Sequence, residues 1–169
     1  KAYMIPESSR TAKGTNLVNI LELEEGEKVT AMLSVSDFDM EDDKEEYLLF
    51  VTAKGIVKRT LLSEFAYRRK GGKRALTLDE DDELVYVRHT TGEDKVIIAT
   101  RDGMAACFDE NDARVMGRSA RGVRGIRLGD GDAVVGVCLV EEGKKLLSIT
   151  EKGFGKRSEF DEYSVHNRG

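Results

Sequence analysis

Residues 47–65 read YLLFVTAKGIVKRTLLSEF: an apolar run, a polar pair closed by Gly55, and a second run ending in Phe65. The same text returns as KVIIATRDGMAACFDEND from Lys95 and as KLLSITEKGFGKRSEFDEY from Lys145, so that Gly55, Gly103 and Gly153 are spaced by 48 and 50 residues. A repeat at such a period is the first thing to settle, because it governs every later reading of the fold. The runs are short and rich in Val, Ile, Leu, Thr and aromatics, and Lys54-Gly55, Asp102-Gly103 and Lys152-Gly153 stand between neighbouring runs as two-residue hairpin turns do. Gly recurs too often for long helices, and no window keeps a helical period. The reading is all-β: antiparallel four-stranded sheets, one per repeat, packed face to face as propeller blades. Val51, Ile98 and Ile149 are expected at equivalent inward positions.

Working outward, two further markers recur. RTAKGTNLVNI around Gly14, RRKGGKRALTL around Gly72 and GRSARGVRGIRL around Gly122 carry Arg10, Arg68 and Arg118, each four residues before its glycine. An acid opens a late apolar run in each unit: Glu27 before VTAML, Glu83 before LVYV, Asp132 before AVVGVCLV. The chain therefore divides into a partial repeat (1–36), two whole repeats (47–92 and 95–140) and a second partial repeat (145–169). The acidic stretch 37–46 between the first two reads as an exposed loop.

The chain of 169 residues is 40% hydrophobic and 35% charged, with a formal net charge of -5, one Pro and no Trp. That suits a globular β array; no apolar run is long enough for a membrane span, and no signal peptide opens the chain, so a cytoplasmic location is expected. The net charge hides a lopsided distribution. Residues 52–74 hold eight cations against Glu64, and residues 114–127 hold five arginines and no acid, whereas 22–46 holds eleven acids and two lysines. Equal phase in a bladed array means equal height and radius, so the Gly-rich markers would form one basic track, with glycines that let backbone N–H groups approach phosphates. Its expected cations are Arg68, Arg69, Lys70, Lys73 and Arg74 in one repeat, Arg118, Arg121, Arg124 and Arg127 in the next, and Arg10 and Lys13 in the first. Lys58, Arg59, Lys156 and Arg157, just after the turn glycines, complete the set. The plainer reading makes these stretches solvated loops that balance the acidic ones.

Catalytic and metal-binding chemistry finds few candidates. His89 and His166 fall in different repeats and read as surface or turn residues. Cys107 and Cys138, 31 positions apart in apolar runs, read as buried free thiols. The acidic runs lack the glycine of a calcium-binding EF-hand loop, and neither GxGxxG nor GxxxxGK[ST] occurs. No catalytic residue and no metal ligand is assigned.

The repeats also carry a family likeness. MIPESSRTAKGTNLVNIL, TAKGIVKRTLLSEF, GRSARGVRGIRL and TEKGFGKRSEFDEY together resemble the C-terminal domain of the DNA gyrase A subunit, the β-pinwheel. The resemblance implies a domain of about six blades that wraps double-stranded DNA around a basic perimeter in a bacterial, nucleoid-associated enzyme. It also implies two protein partners, the rest of the A subunit plus the B subunit, with ATP and Mg used elsewhere in the parent and no cofactor here. The heptapeptide QRRGGKG of that family is absent; residues 68–74, RRKGGKR, resemble it in composition but lie at the phase of an ordinary marker. The related domain of the topoisomerase IV A subunit, or a propeller-like protein-interaction scaffold, is the alternative. Cut mid-repeat at both ends, the chain is expected to form an open arc of about three blades, inert by itself, that self-associates through its end strands and binds DNA more weakly than a complete domain.

Overall fold

The computed structural model describes residues 7–16, 19–21, 23–35, 45–67, 72–166 and 168. Among them nine strands follow one another: β1 (Tyr47–Thr52), β2 (Ile56–Leu61), β3 (Leu84–Thr90), β4 (Lys95–Thr100), β5 (Ala105–Asp109), β6 (Val123–Arg124), β7 (Val134–Leu139), β8 (Lys145–Ile149) and β9 (Gly155–Glu159). Among the described residues there is no α-helix, and every named strand pairing is antiparallel. The all-β architecture is therefore as expected.

The hairpins β1–β2, β4–β5 and β8–β9 turn through three residues rather than two. In each, a Thr three positions before the glycine anchors the loop: Gly55, Gly103 and Gly153 N–H donate to the carbonyls of Thr52, Thr100 and Thr150 at 3.0, 3.1 and 2.9 Å. The Thr52, Thr100 and Thr150 hydroxyls accept from the N–H of Ile56, Met104 and Phe154, each at 3.2 Å. The glycines have φ of 78, 87 and 81°, the left-handed residue that closes a three-residue hairpin. The sequence signal is thus Thr-x-x-Gly, not the polar-Gly pair alone.

The sheets differ from the one-repeat-one-sheet expectation. The first has the order β3-β1-β2-β6, and β6 belongs to the next repeat; the second is β5-β4-β7, and the third is β8-β9. Ile56 pairs with Arg124 and Val57 with Val123, while Arg59 forms a parallel bridge to Val115 that is closed by Met116 N–H on the Arg59 carbonyl at 2.8 Å. One repeat later the same exchange begins again: Cys107 bridges Val165, and His166 N–H donates to the Cys107 carbonyl at 2.9 Å. The repeat 95–140 thus supplies the three strands of its own sheet and hands its Gly-rich marker to the sheet before it, and the repeat from Lys145 begins to do the same.

The core lies between the first two sheets. Leu49, Val51 and Val57 face Val96, Ile98 and Phe108, all at or below 1% exposure, with Ala113, Ile126, Val134 and Val137 around them. Val51 and Ile98 are both inward, but they are not equivalent. Val51 pairs with Val57, Ala99 with Ala105 and Ile149 with Gly155, so Val51 corresponds to Ala99 and Ile149, and Ile98 corresponds to Phe50. Side chains alternate along a strand, so each sheet presents one parity to its successor and the other to its predecessor. Ile149, on the face that Val51 buries, is 68% exposed because no further sheet among the described residues covers it.

The run VTAML also departs from expectation. Residues 28–35 form no strand, and Met32 is 87% exposed. The equivalent runs β3 and β7 lie along the first strand of their own hairpin, and no such hairpin stands among the described residues before β1.

Candidate nucleic-acid interface

The marker 114–128 lies along the edge of β2, and its glycines decide how closely. A Cβ on Gly122, whose φ is 106°, would stand 2.5 Å from the Val57 carbonyl oxygen; one on Gly125 would stand 2.4 Å from Val57 Cγ1. Gly125 N–H donates to the Gly55 carbonyl at 2.8 Å, and a Cβ on Gly55 would meet Ile126 Cγ2 at 2.8 Å. These glycines are consumed by sheet docking. The expectation that their bare backbone serves phosphate approach is corrected for Gly122 and Gly125: β2 occupies that space. Docking buries Gly125 and Ile126 and turns Arg121, Arg124 and Arg127 outward, where all three are exposed. Arg114, at the start of the same segment and outside the expected set, is exposed as well.

A second basic segment, 72–78, runs beside the first. Thr77 N–H donates to the Ala120 carbonyl at 3.3 Å and Thr77 Oγ1 to the Ser119 carbonyl at 2.7 Å. Arg74 is exposed; Lys73 Nζ donates to the Glu64 carbonyl at 3.1 Å and lies 5.4 Å from the Tyr67 ring centre. Arg68, Arg69 and Lys70 fall outside the described residues. Several cations meet acids of their own chain: Arg118 Nε is 3.5 Å from Glu64 Oε2, Arg121 pairs with Asp79, and Lys54 pairs with Asp81. A pocket of about 320 Å³ between the segments is lined by Thr52, Asp79, Asp82, Arg121 and Arg124. Asp82 Oδ1 is occupied there, accepting from Lys54 N–H at 3.0 Å and Glu83 N–H at 2.9 Å.

Two expected contact residues are interior. Lys58 is fully buried, and its Nζ donates to the carbonyls of Ala75 at 2.6 Å and Arg118 at 2.5 Å. Burial lowers its pKa to about 8; Glu64 opposes that shift and Arg118 adds to it. Arg59 is 5% exposed, stacks on the Tyr47 ring at 4.5 Å, donates to Asn111 Oδ1 at 2.8 Å and lies 3.3 Å from Glu110 Oε2. Glu110 is itself fully buried and accepts through Oε1 from the N–H groups of Gly92 at 2.7 Å and Asp94 at 2.9 Å. The Lys58-Arg59 pair is therefore a structural element of the sheet junction, covered by the exchanged segment, and is removed from the solvent-facing set.

Of the remaining expected cations, Arg10, Lys13 and Arg157 are exposed, and Lys156 is exposed and paired with Glu162 at 2.9 Å. Their mutual hydrogen bond raises the Lys156 pKa and lowers that of Glu162. Arg168, which the sequence marks as the start of another such marker, lies outside the expected set of contact cations. It stands 50 positions after Arg118 and donates through Nη1 to the Arg124 carbonyl at 3.0 Å and through Nε to the Asp112 carbonyl at 2.5 Å. Burial raises the pKa of both Cys107 and Cys138, which keeps them as thiols near neutral pH. Among the described residues, no group of His, Cys, Asp and Glu is arranged to hold a metal ion, and no helix is long and apolar enough to cross a membrane.

Stacked antiparallel sheets that trade edge strands between successive repeats, with arginines along the traded strand, define a propeller-type β-repeat domain with a cationic edge. The chain belongs to the family described as the DNA gyrase C-terminal domain, beta-propeller, which matches residues 1–36, 46–91, 94–140 and 144–169. It is 45% identical over 170 residues to the DNA gyrase A subunit of Haloquadratum walsbyi (strain DSM 16790 / HBSQ001), covering 99% of this chain and 20% of that protein. It is 44% identical over 171 residues to the DNA gyrase A subunit of Staphylococcus epidermidis (strain ATCC 12228 / FDA PCI 1200), covering 100% of this chain and 19% of that one. The chain thus spans about a fifth of the length of these curated relatives. Among solved structures, it is similar to the C-terminal domain of DNA topoisomerase IV (TM-score 0.83, 28% identity, 92% of this chain and 48% of that one). The DNA gyrase A C-terminal domain gives a TM-score of 0.79 at 29% identity, over 94% of this chain and 51% of that one.

Proposed function

We propose that this chain binds double-stranded DNA through the phosphates along its exchanged edge strands, and bends the duplex from one repeat to the next. In this reading it is the DNA-wrapping part of a gyrase A subunit. The parent enzyme is then a type II topoisomerase that pairs with a B subunit to couple ATP hydrolysis to negative supercoiling. The observation that carries the reading is the outward row Arg121, Arg124 and Arg127 on a segment held at a sheet edge by glycine contacts. Guanidinium groups on a fixed backbone neutralise phosphates without reading bases, which suits a surface that must follow any duplex.

The likeness to the topoisomerase IV domain supports a second reading, in which the same edge binds DNA in that enzyme; the higher identity to gyrase A subunits over the whole chain favours gyrase. The test is the salt dependence of binding to duplexes of unrelated sequence. Each phosphate contact contributes about -0.9 to the log-log slope, so Arg121→Gln with Arg124→Gln flattens it by about 2 units and weakens all duplexes alike. An unchanged slope places the contacts elsewhere, and strong preference for one sequence refutes the phosphate reading.

A further inference from the structure

Lys58 is fully buried, yet its ammonium lies between two basic segments that belong to different repeats. It donates to the Ala75 carbonyl in 72–78 at 2.6 Å and to the Arg118 carbonyl in 114–128 at 2.5 Å, while the Phe50 ring lies 5.8 Å away. A buried ammonium is expensive unless its donors are used, and here two of the three are spent on main-chain oxygens rather than on a carboxylate. Carbonyls fix where a backbone runs; they do not report which side chains it carries.

One repeat later the position equivalent to Lys58 is Ala106, since Lys58 and Ala106 each stand three residues after their turn glycine. Alanine cannot donate, and a different cation ties the next pair of segments. Arg168, at the position of Arg118 in the following marker, reaches back to the Arg124 and Asp112 carbonyls at 3.0 and 2.5 Å. Two chemically different side chains, one from β2 and one from the marker that follows β9, thus link segment 72–78 to 114–128 and segment 114–128 to the next marker through backbone oxygens.

We infer that Lys58 and Arg168 are positioning residues that fix the spacing between consecutive phosphate-facing segments, and so set how many segments one duplex engages at once. The inference rests on the DNA-binding reading above. Neither residue's clasping contacts involve a phosphate; each acts through the arginines of the segments that it holds. A long duplex that crosses all the segments binds them as one multivalent surface and depends on their spacing, whereas a one-turn duplex covers few of them and depends on it less.

The experiment compares the 169-residue chain with its Lys58→Met and Arg168→Met variants on random-sequence duplexes of about 10 bp, one helical turn, and about 40 bp. Affinity for the short duplex is expected to stay within about twofold, while affinity for the long duplex falls by about tenfold and its salt slope moves toward the short-duplex value. Equal losses on both lengths overturn the inference, since they mark a phosphate contact or a general loss of fold. No loss on either length overturns it too. If Lys58→Met unfolds, Arg168→Met decides, because Arg168 lies outside every strand. A wild-type chain that binds neither duplex refutes the DNA-binding reading and this inference with it; a wild type that prefers the long duplex, with variants that match it, refutes the clasps alone.

Discussion

Gly125→Ala is the sharpest probe of how the exchanged segment is seated. The added methyl carbon would stand 2.4 Å from Val57 Cγ1, 3.1 Å from Val57 Cγ2 and 3.3 Å from Ile98 Cδ1. Ordinary contact begins at 3.4 Å, so one neighbour must retreat by about an ångström. Neither can do so freely, because Val57 and Ile98 are both fully buried. Gly125 is not left-handed, so alanine meets no backbone penalty, and the whole cost is overpacking, about 1–3 kcal/mol. With a urea m-value of about 2 kcal/mol/M, a cost of about 2 kcal/mol lowers the unfolding midpoint by about 1 M. Gly117→Ala is the matched control: its Cβ meets nothing within 4 Å, and the expected shift is within about 0.5 kcal/mol. Val57→Ala removes both clashing methyls, so Gly125→Ala in that background should cost at least about 1 kcal/mol less than in the wild type. The assay is urea denaturation of the four variants, followed by far-UV circular dichroism because the chain has no Trp to report by fluorescence. If Gly125→Ala behaves like Gly117→Ala, or if the double variant is additive, the segment does not lie on β2 as described.

Three other outcomes follow from the site. Asp79→Asn frees Arg121 from its carboxylate partner, so DNA affinity at low salt should rise by up to about fivefold with little change in stability; unchanged affinity in a titration would show that Asp79 does not compete with phosphate. Glu110→Ala leaves Arg59 buried without its counter-charge and the Gly92 and Asp94 amides without an acceptor, a loss of about 3–5 kcal/mol in chemical denaturation; Glu110→Gln, which keeps an acceptor oxygen, should lose less, and equal losses would contradict the role of Oε1. Lys58 has a folded pKa near 8 against an ordinary 10.5, so between those values the unfolded chain holds more protons and stability rises with pH. Measured as the difference between wild type and Lys58→Met, which cancels the Tyr47 and cysteine titrations common to both, this difference in unfolding free energy should grow from pH 8 to 10; a flat difference would show that burial does not depress the amine.

The hairpins were legible because their information is local. Thr-x-x-Gly between β-branched runs specifies a loop whose two hydrogen bonds and left-handed residue lie within five positions of one another. The strand exchange was not legible in that way. It depends on Gly122 and Gly125 meeting Val57, more than sixty residues earlier, and glycines in an Arg-rich run read equally well as a solvated loop. The burial of Lys58 and Arg59 has a similar origin: as neighbours along β2 they read as two solvated cations, one on each face, and it is the 72–78 segment together with the following repeat that covers them. Glu110 was hidden for a different reason. It occupies the position held by Leu62 and Phe160 in the neighbouring repeats, but within FDENDA it reads as part of an acidic turn; only the arrangement of Arg59 and two free amides makes a buried carboxylate tenable there.

The exchange also explains how an acidic chain can present a basic edge that remains correctly placed. β6 joins the sheet through only two paired residues, Val123 and Arg124, too short a ladder to fix a loaded strand by main-chain hydrogen bonds alone. Around it the seating is completed by shape, through Gly122 and Gly125, by the Gly125–Gly55 hydrogen bond, and by cations that hold backbone carbonyls from the inside. Arg121, Arg124 and Arg127 thereby face outward. Segment 114–128 is covalently part of one repeat and seated on the sheet of the one before, so a force applied to its arginines acts across the junction between sheets. In the proposed reading, a duplex held along these segments takes its path from the stacking of the sheets, because the marker is seated on a sheet edge and is not a free loop.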